Sequence, residues 1–431
     1  TVDVEAGPFA QNVVLKKSLS LQGPFAGVPG YDGSRNGTGE AVISPATGSA
    51  LTLAASGASV DGFSISIPSG VAVQPGGATR DNMQFINNRV VNIPNGVGIR
   101  FEPGEGTPAS GFTISGNLFA DIGGTGTNGS AIELYKGTRN ATVSNNHFDS
   151  IQQIALQANG GNGTVQGLNV TGNVVRDPDA VSPANAFVVT KVSNAVMQGN
   201  DLQGIATGLF ISDAESSLQF TCNSISGTNR GISSFDFFGN TTNTGVRIFD
   251  NAILGSVTAD VNNGMAQNLV VGSNYYGGGA PTVSGNVQAA DPLSANPIGN
   301  PACGDNTPTQ VVVRSGSGQF ALITNSFASP LVGRLEDALG GAVMGQPMVF
   351  TPPGSGASAN LATPNGLSDF NGLFSTTAIA NSVSGAYQVT LADTNFGGIT
   401  PASFMLTNQS ATASIVLDSA TLNATYDGSQ H

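Results

Sequence analysis

Tryptophan is absent from this chain, histidine occurs only at His147 and His431, and lysine and arginine together number 14 in 431 residues. Each scarcity closes off a class of function. With few, scattered basic residues and a formal net charge of −13, the chain lacks the cationic stripe that nucleic acid phosphates require. Anionic membranes are disfavoured on the same ground. No apolar run reaches the roughly 18 residues of a spanning helix, so no membrane insertion is expected. The two cysteines, Cys222 and Cys303, are too far apart for a CxxC-type metal or redox site. They suit one disulfide in an oxidising compartment, and they also suit two buried thiols.

Charged residues make up only 10% of the chain and glycine 59 of 431, about twice the usual glycine share. That polar, weakly charged composition resembles disorder, but the 39% of apolar residues fall in strict alternation and can bury a core. The chain opens at "TVDVEAGPF", already inside a strand-like pattern. Its start is therefore taken as a processed or trimmed end, and the lack of a signal peptide carries no weight on compartment.

What is present in abundance is a repeat. "GFTISGNLFAD", "NATVSNNHFDS", "GLNVTGNVVRD" and "NAVMQGNDLQG" share one frame: apolar, x, apolar, x, x, Asn, x, apolar. The asparagine column is Asn88, Asn117, Asn146, Asn173, Asn200, Asn223, Asn251 and Asn274. Phe63 and Pro24 take its place in two earlier units, making about ten in all. Spacing varies from 23 to 29 residues while the local frame holds. Such variation suits a coil of strands whose loops absorb the differences. Asparagine tolerates the left-handed backbone of a tight turn. Stacked about 4.8 Å apart, each amide can bond the next. A second strand type follows, as in "GVGIRFE", "SAIELYK" and "TGLFISD". There Ile99, Ile132, Leu134, Leu209 and Ile211 should point inward, and Arg100, Glu133 and Phe210 outward.

These features resemble the right-handed parallel β-helix repeat family (the pectate-lyase-like superfamily). "VDVEAGPFAQNVVLKKSLSLQG" is similar to its entry strand and "VGSNYYGGGAPTVSGNV" to its closing segment. The resemblance covers 1–300 and implies an all-β coil of about ten rungs. It implies no single function, because the family includes lyases, hydrolases, epimerases, accessory proteins and adhesins. A Pro- and Gly-rich linker, 301–308, follows. Residues 309–410 read as short strands of a sandwich and resemble the bacterial Ig-like domains of invasin- and intimin-type proteins. Residues 411–431 resemble the start of a further module, whose lone strand would permit self-association by strand addition.

Two charged clusters are candidates for chemistry. Arg100, Glu133 and Lys136, with Glu102 and Arg139, could abstract a sugar proton and neutralise a uronate. They could equally form a cross-rung salt-bridge ladder. Asp177, Asp179, Lys191, Asp213, Glu215 and Asp236 form the second cluster. It could bind Ca²⁺, the one cofactor considered, or act as glycosidase acid and base, or be solvated loop charge. Lys191 and Asp213 are expected to pair. Phe235, Phe237 and Phe238 in "SFDFFGN" offer a contact patch or core filling. His147 follows a ladder residue and is expected to be a surface or turn histidine.

The leading expectation is a non-catalytic, extracellular adhesin-type fragment with a polysaccharide or cell-surface ligand. The alternatives are a carbohydrate-active lyase or hydrolase, and a self-assembling filament subunit.

Overall fold

Alternating sequence becomes short strands, and the strands stack along a coil. The computed structural model describes residues 1–76, 80–124, 129–177, 184–213, 215–236 and 243–410. The chain divides into two compact units: Thr1–Thr307 with Glu336–Val343, and Pro308–Leu335 with the chain from Met344 on.

The first unit is a right-handed parallel β-helix. Each rung gives one strand to each of three sheets, as Gln84–Ile86, Arg89–Ile93 and Gly96–Phe101 do. The sheets contain thirteen, ten and eleven strands among the described residues. Register keeps like over like. Phe85 pairs with Ile114, Ile114 with Val143 and Val143 with Val170 in the first sheet. Val90, Phe119, Phe148 and Val175 follow one another in the second. Ile99, Ile132, Leu156, Phe187 and Leu209 do so in the third. All are buried, which is why alternation is strict: slipping one residue would turn a whole column to water.

The recurring asparagines pile at the corner between the first and second sheets. Asn117 donates its backbone N–H and its Nδ2 to Oδ1 of Asn146, at 3.0 and 2.9 Å. Asn146 does the same to Asn173, and the chain of amides runs on through Asn200, Asn223 and Asn251 to Asn274. Phe63 caps the series by donating its backbone N–H to Asn88 Oδ1 at 2.9 Å.

One expectation shifts by a residue. The left-handed position is not the ladder asparagine but the residue before it: Asn87, Gly116, Asn145, Gly172, Gly199, Cys222 and Asp250. The division of labour is physical. The turn residue supplies positive φ, and the next residue is freed to bury its amide and bond it.

The unit expected at Pro24 does not join the ladder either. Pro24 is exposed, and residues 23–40 leave the coil as an excursion over the second sheet. Gly30 donates to the Gly116 carbonyl at 2.7 Å, and a β-carbon there would lie 2.2 Å from the Asn88 carbonyl oxygen, so only glycine fits. The buried ion pair Arg35–Glu40 (2.6 Å) fixes the excursion. Tyr31 stacks on His147 with ring centroids 3.6 Å apart.

Cys222 and Cys303 are disulfide-bonded, with Cα atoms 5.8 Å apart. Residues 301–307, expected as linker, thus belong to the first unit. Gly304 N–H donates to Asp250 Oδ2 there, at 3.0 Å.

The second unit is built mainly of antiparallel pairs. Gln310–Ser315, Leu331–Glu336 and Leu373–Thr376 form one sheet, and a five-stranded sheet is centred on Gly385–Asp393 and Ala402–Gln409. Met348, Phe350, Val389, Leu391 and Phe404 make its core. The further module expected at 411–431 lies outside the described residues.

Candidate functional site

The outer face of the third sheet is unlike the other outer surface made by the same alternation. In the first sheet, the outward row runs Gln84, Thr113, Thr142, Asn169, Val196, Gln219, Arg247, of which four are exposed, three half-buried and none buried. In the third sheet one outward row runs Arg100, Glu133, Gln157, Val188, Phe210, Ser233, Asn262. A parallel row runs Tyr135, Asn159, Thr190, Ser212, Phe235. Glu133 is only 4% exposed, Val188 8% and Ser233 4%. Three outward positions of this row are therefore buried between their larger neighbours, although they lie on the outer face.

The residue after each member of the second row forms an edge column: Lys136, Gly160, Lys191, Asp213, Asp236. Arg100, Glu133 and Lys136 of the first cluster and Lys191, Asp213 and Asp236 of the second therefore fall on the rows of one sheet, whereas Asp177 follows a strand of the second sheet. The rows span six successive rungs from Arg100 to Asp236, roughly 24 Å at about 4.8 Å per strand.

At one end, Arg100 Nε meets Glu133 Oε2 at 2.6 Å across the rungs. The Tyr135 hydroxyl donates to the same oxygen at 3.4 Å, and the guanidinium lies 5.9 Å from the Tyr135 ring centroid. Burial opposes the Arg100 charge, but the hydrogen bond and charge of Glu133 outweigh it, so its pKa is raised. Burial, followed by the charge of Glu133, raises that of Tyr135. Glu102 acts electrostatically on both. Lys136 turns away and donates to Asn162 Oδ1 at 2.8 Å. Arg139 pairs with Glu105 at 3.0 Å.

Towards the other end, the second cluster is not solvated charge. Asp213 is wholly buried in a left-handed turn position and accepts from the Ser212 hydroxyl at 2.8 Å. Glu215 is 1% exposed. Its Oε2 accepts the Val192 N–H at 2.7 Å, while Oε1 has no hydrogen-bond partner among the described residues. Burial pushes its pKa up to about 8 against the pull of the Val192 and Lys191 N–H groups. Asp177 is buried too and accepts from Ala184 N–H at 3.2 Å. The sequence sets these carboxylates in loops, but Asp177 and Glu215 turn back onto backbone donors and Asp213 onto a side-chain hydroxyl. Lys191, also left-handed, donates to the Gly161 carbonyl at 2.7 Å. Phe235 is 45% exposed; Asp179, Phe237 and Phe238 lie outside the described residues. Among the described residues no group of three or more His, Cys, Asp or Glu is arranged to hold a metal ion.

His147 is half-buried under Tyr31, and burial, then Arg176, lowers its pKa. Sequence reasoning missed a polar set near it on the second sheet. Arg176 Nη2 meets Asp201 Oδ2 at 2.5 Å, and Gln203 Nε2 donates to Asp201 Oδ1 at 3.1 Å. The i, i+2 placement of Asp201 and Gln203 on one strand face was the available signal.

No model of a known protein family matches the chain, and no curated protein matches it significantly. Solved structures do share the fold. An alginate lyase from Paenibacillus sp. str. FPU-7 is 10% identical with a TM-score of 0.37, over 65% of this chain and 93% of that one. The catalytic domain of a GH87 α-1,3-glucanase in complex with nigerose is 12% identical with a TM-score of 0.43, over 67% and 63%. The enzymatically active domain of tailspike protein 2 from bacteriophage CBA120 is 13% identical with a TM-score of 0.37, over 94% and 65%. The chain thus spans less than two thirds of the latter two. At these identities the likeness is one of fold. All three are named as enzymes, two of them by a polysaccharide they act on. None of the three is named as an adhesin, and the expected non-catalytic adhesin-type role is withdrawn.

Proposed function

We propose that the protein is a secreted glycoside hydrolase that binds an extended, uncharged polysaccharide along the outer face of the third sheet. The observation that carries this reading is the sheltered face itself, with the Arg100–Glu133–Tyr135 set within it. Its length, one side chain per rung in register, suits a linear polymer better than a compact ligand. The amides of Gln157, Asn159 and Asn262 and the hydroxyls of Thr190, Ser212 and Ser233 offer neutral hydrogen bonds to sugar hydroxyls. Tyr135, Phe210 and Phe235 offer apolar ring faces.

Charge favours a neutral substrate. Arg100, Lys136 and Lys191 on this face are matched by Glu102, Glu133, Asp213 and Asp236, and the whole chain carries −13. A polyuronate would find no cationic surplus. Hydrolysis of a glycosidic bond calls for two carboxyl groups. Glu133 is one: the Arg100 and Tyr135 contacts both fall on Oε2, and Oε1 is assigned to the reaction. Glu102, which already acts on Arg100 and Tyr135, is the second. The Cys222–Cys303 bond supports a secreted location. The second unit's short, mostly antiparallel strands support an Ig-like appendage.

Release of reducing ends from neutral and uronate polysaccharides tests the reading. A neutral polymer should be cut, and Glu133→Gln should lower turnover at least about 100-fold. Cleavage of uronates alone, or full turnover by Glu133→Gln, would refute it.

A further inference from the structure

A recess lies away from that face, where the corner of the asparagine ladder meets the second sheet. A cavity of about 550 Å³ is walled on one side by Gln198, Asp201, Gln203 and Ser224, and on the other by Ile298 and Asn300 of the segment that Cys303 ties down. A neighbouring cavity of about 300 Å³ is lined by Arg176, Asp177, Gln203, Gly204, Ser226 and Gly227. Gln203 is common to both, so the two lie end to end along the strands Asp201–Gln203 and Ser224–Ser226. Together they fall in the range of small-molecule sites.

The charges here are already spent on each other. Asp201 accepts from Arg176 through Oδ2 and from Gln203 through Oδ1, and Arg176 also donates to the Asp201 and Val175 carbonyls, each at 3.1 Å. Asp177 accepts a backbone N–H. An anion would have to break the Arg176–Asp201 pair to gain a countercharge, and a cation would meet the guanidinium. What remains to offer is uncharged: the Ser224 and Ser226 hydroxyls, Gln203 Oε1, the Asn300 amide N–H₂ and the Gln198 amide. Neutral donors and acceptors alternating over two joined cavities complement a hydroxyl-rich, uncharged ligand.

We propose that this recess is a saccharide-binding site for a neutral mono- or disaccharide, separate from the third-sheet face, with the disulfide-held segment as its outer wall. The site holds a sugar by hydrogen bonds from Gln203, which the Arg176–Asp201 pair fixes in place, and from Ser224 and Ser226. Opening the disulfide frees the wall and weakens binding.

The experiment uses the whole chain, oxidised, with glucose, galactose, mannose, maltose, cellobiose and lactose as probes and inorganic phosphate as the anionic control. Saturation-transfer NMR and titration calorimetry give the readout. At least one of the sugars should bind and phosphate should not. Gln203→Ala and Ser224→Ala should each weaken that sugar about tenfold, the loss of one hydrogen bond, at an unchanged unfolding temperature. Reduction of Cys222–Cys303 should weaken it further. Three outcomes overturn the proposal: none of the six sugars binds, phosphate binds and is lost in Arg176→Ala, or sugar binding is indifferent to both Gln203→Ala and Ser224→Ala.

Discussion

Asn146 has every part of its amide in use. Oδ1 accepts twice from Asn117, and Nδ2 donates to Asn173 and to the Ile114 carbonyl at 2.9 Å. Asn146→Ala leaves the Asn117 backbone N–H and one N–H of its Nδ2 without partners inside a buried corner, at about 1–3 kcal/mol for each group left unsatisfied. The denaturation midpoint of Asn146→Ala should therefore fall by the equivalent of at least about 2 kcal/mol. The exposed Asn162→Ala should stay within about 0.5 kcal/mol of the parent. Glu215 makes the opposite point about buried polarity. Its folded pKa of about 8 stands above the ordinary 4.5, so the folded chain keeps a proton that the unfolded chain has already released. That group's contribution is undiminished below about pH 4.5 and is lost progressively as pH rises to about 8. The slope is on the order of 1 kcal/mol per pH unit. Asp250, pushed by burial to about 7, adds in the same direction. Unfolding midpoints measured across that window should show Glu215→Gln gaining on the parent as pH rises; parallel curves would contradict the assignment.

At the scale of elements, the rungs are legible in the sequence and their coverings are not. A column such as Phe85, Ile114, Val143, Val170 is written into the sequence because burial and strand period impose it together. Nothing periodic announces that residues 23–40 fold back on the second sheet. Gly30, Arg35 and Tyr31 are single residues whose partners, Gly116, Glu40 and His147, are fixed by stacking rather than by spacing. The segment carrying Cys303 reads as a linker for the same reason, since its Pro and Gly content matches that of a free connection. Its disulfide closes a separation of 81 residues, for which chain entropy gives about 4.5 kcal/mol. Cys303→Ser should lower the unfolding midpoint accordingly and expose the 296–304 segment to limited proteolysis. Unaltered proteolysis there would mean that packing alone holds it.

For the whole molecule, the sequence locates the charged residues of the candidate face but misleads about their state. Arg100 and Glu133 fall in register, as their matched strands require. The burial of Glu215 could not be read from a loop-like sequence, because it depends on which backbone N–H groups the neighbouring rung presents. The overall charge provides one more test. A chain at −13 repels polyanions at long range, and that repulsion is screened over about 10 Å at 0.1 M salt. Binding of a neutral polysaccharide to the third-sheet face involves no such term. Its affinity should therefore stay nearly constant between low and moderate salt, whereas any residual uronate binding should strengthen as salt is added. Affinity electrophoresis or calorimetry at two ionic strengths separates the cases. Neutral-polymer binding that falls steeply with salt would mean that ionic contacts carry recognition. The polymer would then be held by Arg100, Lys136 and Lys191, and the amides, hydroxyls and rings of the face would serve only to shape the surface around it.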